Sequence, residues 1–226
     1  MASKTEKQEI LAPDKFQVFL ERTRDYILSH KRNIAVAAAV LLLVSLVGGG
    51  WAYWRHKEET TAMNVYNQAV INNSRLAVTN QDVAVTVKPF AELTAKYPAT
   101  RAAMLSQYRI GNAYLNAGKI DEAMKAFQIY LREKGGDNEL TVLVYNSLGY
   151  CHEAKGDFKQ ALNNYEKALQ SKAGSPFAGD ILAGMARSYE GLQNREKARE
   201  YYRQALEKIQ DPTMKIIVGR KIAMLG

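Results

Sequence analysis

The sequence predicts an all-α protein: a single N-terminal transmembrane helix followed by an α-solenoid of stacked helix pairs. Three observations carry this. Residues 34–54 form an apolar run of 21 positions without a charge. The remainder is rich in Ala, Leu, Glu, Lys, Gln and Arg, has five prolines in all, and shows no alternating Val/Ile/Thr segments bounded by turns. Small and aromatic residues then recur at a period of 37–38 residues.

The run IAVAAAVLLLVSLVGGGWAYW is long enough to cross a bilayer, since a helix of about 20 residues spans roughly 30 Å. His30, Lys31 and Arg32 precede it; Trp51, Tyr53 and Trp54 close it, just inside Arg55, His56 and Lys57. Aromatic rings settle at headgroup level and basic side chains snorkel there. Apolarity all round the helix argues against a buried core helix. A late start, a long apolar part and the lack of an A-x-A-type site argue against a cleaved signal peptide. Lys15, Arg22, Arg24, Lys31 and Arg32 lie before the run and only Arg55 and Lys57 follow closely. The positive-inside rule therefore expects a cytoplasmic N-terminus and residues 55–226 on the other side.

Residues 1–33 read as a polar start and a short amphipathic helix. Asp14 is placed to cap it, and Phe16, Phe19, Leu20, Thr23 and Ile27 have helical spacing. Two readings stand for this helix: it lies along the membrane interface, or it is a solvent-exposed lead-in. After the anchor, helix-favouring residues continue without a breaker to about Leu76, giving a stiff exit. A loop over 77–83 follows, then a helix from about Val83 to Lys96 that stops at Tyr97-Pro98.

The repeat comes next. Gly111-x-x-Tyr114 is followed by Gly118, Ala123, Phe127 and Tyr130. Gly149-x-x-His152, Gly156, Ala161, Tyr165 and Ala168 come 38 residues on, and Ala186-x-x-Tyr189, Gln193, Ala198, Tyr202 and Ala205 another 37. This pattern resembles the tetratricopeptide repeat, a helix–turn–helix unit. Small residues at Gly111, Gly149 and Ala186 let helix A approach helix B, with Ala123, Ala161 and Ala198 doing the same from helix B. Phe127, Tyr165 and Tyr202 fill the space between units. Gly118 and Gly156 serve the turn, where φ > 0 is needed, and Gln193 breaks that rule. Extra residues fall between units at 134–137 and 173–176. The division expected is repeats at 104–137, 142–175 and 179–212, preceded by a degenerate unit at 57–98. A capping helix over 213–226 follows, with Met214, Ile217, Val218, Ile222 and Leu225 inward and Lys215, Arg220 and Lys221 outward.

The order of these parts adds a second resemblance. An apolar run ending Trp51-Ala52-Tyr53-Trp54-Arg55, a charged helix with Val65-Tyr66-Asn67-Gln68-Ala69, then Tyr97-Pro98, then repeats, is similar to the YfgM-type family. Those are single-pass proteins of the bacterial inner membrane with periplasmic tetratricopeptide repeats, ancillary to the Sec translocon. The resemblance implies a periplasmic domain and, as partners, Sec translocon subunits, periplasmic chaperones or translocating polypeptides.

Composition and spacing bound the chemistry. The chain carries 31 Lys and Arg against 23 Asp and Glu, but no dense basic block, so no nucleic-acid partner is expected. No Walker loop is present. His30, His56 and His152 are scattered, so neither a metal nor a cofactor is expected. Cys151 is the only cysteine, and His152 beside it points about 100° away around a helix. That geometry argues against a nucleophile–base pair, and His152 is expected in the core. The chain is read as a non-enzyme.

Function is expected on the inner faces of the A helices. The positions there are Leu105, Tyr108, Asn112 and Leu115, then Leu143, Asn146, Tyr150 and Glu153, then Asp180, Ala183, Arg187 and Glu190. Asn and Tyr can bond the backbone of an extended peptide. The chaperone-docking class of these repeats clamps a C-terminal carboxylate with Lys and Asn; here Asn112 fits and Tyr108 stands where the lysine belongs. The leading expectation is a membrane-tethered scaffold that binds polypeptide. The alternative is a self-associating homo-oligomer in envelope or cell-division assembly, packing through Ser45, Gly48, Gly49 and Ala52.

Overall fold

The computed structural model describes residues 15–76, 82–133, 138–171 and 176–226, in which ten α-helices follow one another without a strand. The expected cap at Asp14, most of the 77–83 loop and, except for Pro176, the inter-repeat insertions lie outside the described residues. The chain divides into two units, Met1–Lys57 and Glu58–Gly226.

The first unit holds α1 (Lys15–Ser29) and the start of α2 (Lys31–Leu76). Helical hydrogen bonding crosses the single intervening residue: His30 N–H donates to the Tyr26 carbonyl at 3.1 Å and Ile34 N–H to that of His30 at 3.0 Å. Phe16, Phe19, Leu20 and Ile27 of α1 are all exposed. The most apolar window of α2 is 0% buried, so it is no core helix. By length and composition this helix is sufficient to cross a membrane.

The second unit starts with the later turns of α2 and α3 (Val83–Lys96). Asp82 caps α3 by accepting from Ala84 N–H at 3.1 Å. Pro89 lies inside this helix, at a cost of about 3 kcal/mol in an isolated one. The helix holds because Val87, Phe90 and Leu93 are buried against Ala62, Ala69 and the next helix. That helix, α4 (Arg101–Asn116), is capped twice: Thr100 Oγ1 accepts from Ala103 N–H, and the Glu59 carboxylate accepts from Arg101 N–H at 3.0 and 3.1 Å. Glu59 thereby ties α2 to the head of the first full repeat.

Three helix pairs follow: α4 with α5 (Ile120–Arg132), α6 (Asn138–Ala154) with α7 (Phe158–Gln170), and α8 (Ala178–Gly191) with α9 (Arg195–Lys208). Their turns are alike. The residue at φ > 0 is Gly118 (71°), Gly156 (78°) and Gln193 (59°). In each turn the next N–H reaches back five residues, from Lys119 to Tyr114, Asp157 to His152 and Asn194 to Tyr189, at 2.8–2.9 Å. Gln193 therefore makes the same left-handed closure as the glycines, and the break in the sequence pattern is not a break in the structure.

The small-residue positions set the packing distance. A Cβ on Gly111 would sit 2.5 Å from the Phe127 ring, and one on Gly149 the same distance from Tyr165. Gly184, on the following A helix, meets the same ring at Cζ and Cε1, the nearer again at 2.5 Å. Tyr165, 1% exposed, is thus clamped between two glycines of successive repeats. The repeat alignment singled out the first glycine and missed the second.

Asp211 and Pro212 start α10 (Pro212–Met224), the Asp211 carboxylate accepting from Thr213 and Met214 N–H. Val218 is buried, with Met214, Ile222 and Leu225 packed beside it. Two expectations fail here. Ile217 is 49% exposed, and Lys221, expected outward, turns in to pair with Glu190. The His152 side chain is mostly buried, 18% exposed, with its Nδ1 3.7 Å from Asp157.

Candidate partner-binding face

The A-helix positions divide into a neutralised part and an open part. In the second repeat, Glu153 on α6 accepts from Arg187 Nε at 2.6 Å and Nη2 at 3.0 Å, across to α8. Tyr165 Oη donates to the same carboxylate at 2.9 Å. The third repeat does the same: Glu190 accepts from Tyr202 Oη at 2.6 Å and from Lys221 at 3.1 and 3.2 Å. Each step links helix A, its own helix B, and the helix that follows, α8 in the second repeat and α10 in the third. Burial and the neighbouring carboxylates, Glu153 and Glu190, raise the pKa of Tyr165 and Tyr202 well above the phenol range. For Arg187, burial opposes the charge, but the Glu153 hydrogen bonds outweigh it and the guanidinium is held more firmly protonated. Glu153, Arg187 and Glu190 were singled out in the sequence as surface for a partner. They are coupled to one another and to Lys221, so what they present is a paired, near-neutral strip.

The first repeat has no such pair. Leu115 and Phe127 stand where Glu153 and Tyr165 stand one repeat later. Leu115 and Tyr108 are half-buried against a core cluster of Ala123, Phe127, Tyr130, Val144 and Leu148, with the Tyr108 and Phe127 ring centroids 6.2 Å apart. Tyr150 is 52% exposed, and the Arg187 guanidinium lies 5.7 Å from its ring centroid. Asn146 is half-buried. Ala183 is 2% exposed, in the core, and offers no surface. Asn112 lines a cavity of about 300 Å³ between α2, α3 and α4, with Arg109 and Asn116 beside it. Neither Arg109 nor Asn116 follows from the repeat register, because they belong to the junction with the degenerate unit.

Cys151 is fully buried and its thiol is pushed up to about 11 by desolvation, which disfavours a thiolate nucleophile. Among the described residues no group of three or more His, Cys, Asp or Glu is placed to hold a metal ion.

Solved structures place the fold. The chain is similar to MamA 41-end from Desulfovibrio magneticus RS-1, at TM-score 0.56 and 15% identity over 74% of this chain and 83% of that one. It is similar to the kinesin-light-chain TPR-like repeats from Podosopora anserina at TM-score 0.57 and 14% identity, over 74% and 86%. Both likenesses bear on the fold alone. Among curated proteins it is 32% identical over 69 residues to the Photosystem I assembly protein Ycf3 of Prochlorococcus marinus, covering 30% of this chain and 40% of that protein. It is 39% identical over 64 residues to the Ycf3 of a Synechococcus species, covering 28% and 37%. The chain thus spans about two fifths of the length of these relatives. The model of the tetratricopeptide repeat-like domain matches residues 28–226, so the chain belongs to the tetratricopeptide repeat-like domain family, a fold suited to protein–protein interaction and typical of non-enzymatic scaffolds.

Proposed function

We propose that this protein is a membrane-tethered scaffold that holds a polypeptide partner on the inner face of its repeats. The observation that carries this is the pairing of two contrasting parts in one chain. One is a helix whose apolar window is 0% buried. The other is a repeat domain whose A helices leave Tyr150 and Asn112 open while the charged positions beyond are internally neutralised. The excess of basic residues before the apolar run favours a cytoplasmic N-terminus and the repeats on the periplasmic side of a bacterial inner membrane. The YfgM-type order of anchor and repeats favours a station beside the Sec translocon, with chaperones or translocating chains as partners.

The test is capture from native membranes with Tyr150→Ala and Asn112→Ala. Both variants should retain normal helicity and remain in the membrane pellet after alkaline carbonate, yet recover less partner. Undiminished recovery refutes the inner-face reading, and release by carbonate refutes the anchor. Self-association is a second reading, favoured by the open space around Gly48, Gly49 and Gly50. Sedimentation in detergent decides it: a dimer that is lost when the apolar helix is removed, or when Gly48 and Gly49 are replaced by leucine, supports packing through that face, and a monomer throughout refutes it.

A further inference from the structure

Two cations along the inner face are already paired. Arg187 is held by Glu153 and Lys221 by Glu190. Arg109 is different. Its Nε donates to Tyr66 Oη at 3.3 Å, and among the described residues it forms no ion pair. It lines the cavity together with the apolar Val70, Phe90 and Ala113, and none of the described lining residues is acidic. Asn112 and Asn116 follow Arg109 at i+3 and i+7, so all three lie on one face of α4. From Arg109 to Asn116 the helix rises about 10 Å, the reach of about three extended residues. An apolar lining, a cation without a counter-charge and two amides in a row match one kind of ligand.

We propose that this cavity binds an extended polypeptide segment in which an apolar residue adjoins an acidic one. The apolar side chain rests on Phe90 and Val70, the side-chain carboxylate accepts from Arg109, and the amides of Asn112 and Asn116 pair with the segment's backbone. This rests on the reading of the inner face as a polypeptide site, and adds what the polypeptide carries. It also explains why Glu153 and Glu190 are neutralised: a free carboxylate farther along the face would repel such a segment.

The probe is a dye-labelled peptide, Gly-Ser-Leu-Asp-Phe-Ser-Gly, blocked at both ends, with an Asp→Asn counterpart. A third version has Asn and a free C-terminus. Fluorescence anisotropy uses the full chain in detergent. The acidic peptide should bind about tenfold more tightly than its amide counterpart, as a charge-assisted hydrogen bond implies. Arg109→Gln should reduce that ratio to about twofold or less, and Arg109→Lys should restore part of it, with helicity unchanged in both. Equal affinity for the blocked pair, a preference that survives Arg109→Gln, or binding of only the free-C-terminus peptide would each overturn the proposal. If no peptide binds while Tyr150 still governs partner capture, the inner-face reading survives and this inference does not.

Discussion

Replacing Gly149 by alanine adds one methyl group to a close helix-to-helix contact in the repeat domain. The new Cβ would lie 2.5, 2.7 and 2.8 Å from Tyr165 Cε1, Cδ1 and Cζ. Carbon atoms pack best at about 3.5–4.0 Å, so the ring must retreat by about 1 Å. It has nowhere to go, because Gly184 closes on the same ring from the next repeat. Overpacking of this kind costs about 1–3 kcal/mol, and alanine returns about 1 kcal/mol of helix propensity. The net expectation is a loss of up to about 2 kcal/mol, or up to about 8 °C in Tm for a domain of this size, and a Tm below that of a control that gains the propensity without the clash. Gly219→Ala is the control: it lies within α10 with nothing inside 4 Å, and should raise Tm slightly. The assay is thermal circular dichroism at 222 nm on the full chain in detergent, where the apolar helix remains folded and supplies a constant baseline. If Gly149→Ala is as stable as Gly219→Ala, the repeats do not pack through this contact and the reasoning is refuted.

Three other perturbations have defined outcomes. Glu153→Gln removes the charge that holds Arg187, at side-chain exposures of 16% and 33%, and should cost about 1–3 kcal/mol; a change near zero would mark the pair as an ordinary surface contact. Gln193→Gly should stabilise by up to about 1 kcal/mol, since a left-handed backbone costs a non-glycine residue about 1–2 kcal/mol and glycine returns part of that as chain entropy. Cys151 should resist a thiol reagent until the domain is unfolded. Its native pKa is raised from 9.0 to about 11, so the native state binds more protons than the unfolded state in that range and stability falls as pH rises through it. Wild type should lose on the order of 2–3 kcal/mol relative to Cys151→Ala between pH 8 and 11, and parallel pH profiles would contradict this.

The architecture was readable because its signals are repeated. A 37–38-residue register in Gly, Ala and aromatic residues reports helix-to-helix distance directly, as the Gly111–Phe127 and Gly149–Tyr165 contacts show. The turn at Gln193 looked irregular only because side-chain identity was read without the neighbouring hydrogen bonds, which are the same in all three turns. The candidate site was less legible. Asn112 and Tyr150 could be placed by register. The coupling of Glu153 to Arg187 depends on how one A helix stacks on the next, and Lys221 entered from the capping helix, whose own periodicity pointed it outward. The cavity at Arg109 lies at a junction between a full repeat and a degenerate one, where no repeat register applies.

The central claim is that the inner face, and not the outer one, receives a polypeptide partner. Photocrosslinking in native membranes tests it most directly, with a probe at Tyr150, which is 52% exposed on that face, and a second at Lys159 on the exposed side of α7. A third probe at Val40 reports the neighbours of the apolar helix. The account predicts polypeptide adducts from Tyr150, few from Lys159, and Sec channel subunits from Val40. Equal adducts from Tyr150 and Lys159, or adducts only between copies of this chain, would contradict it.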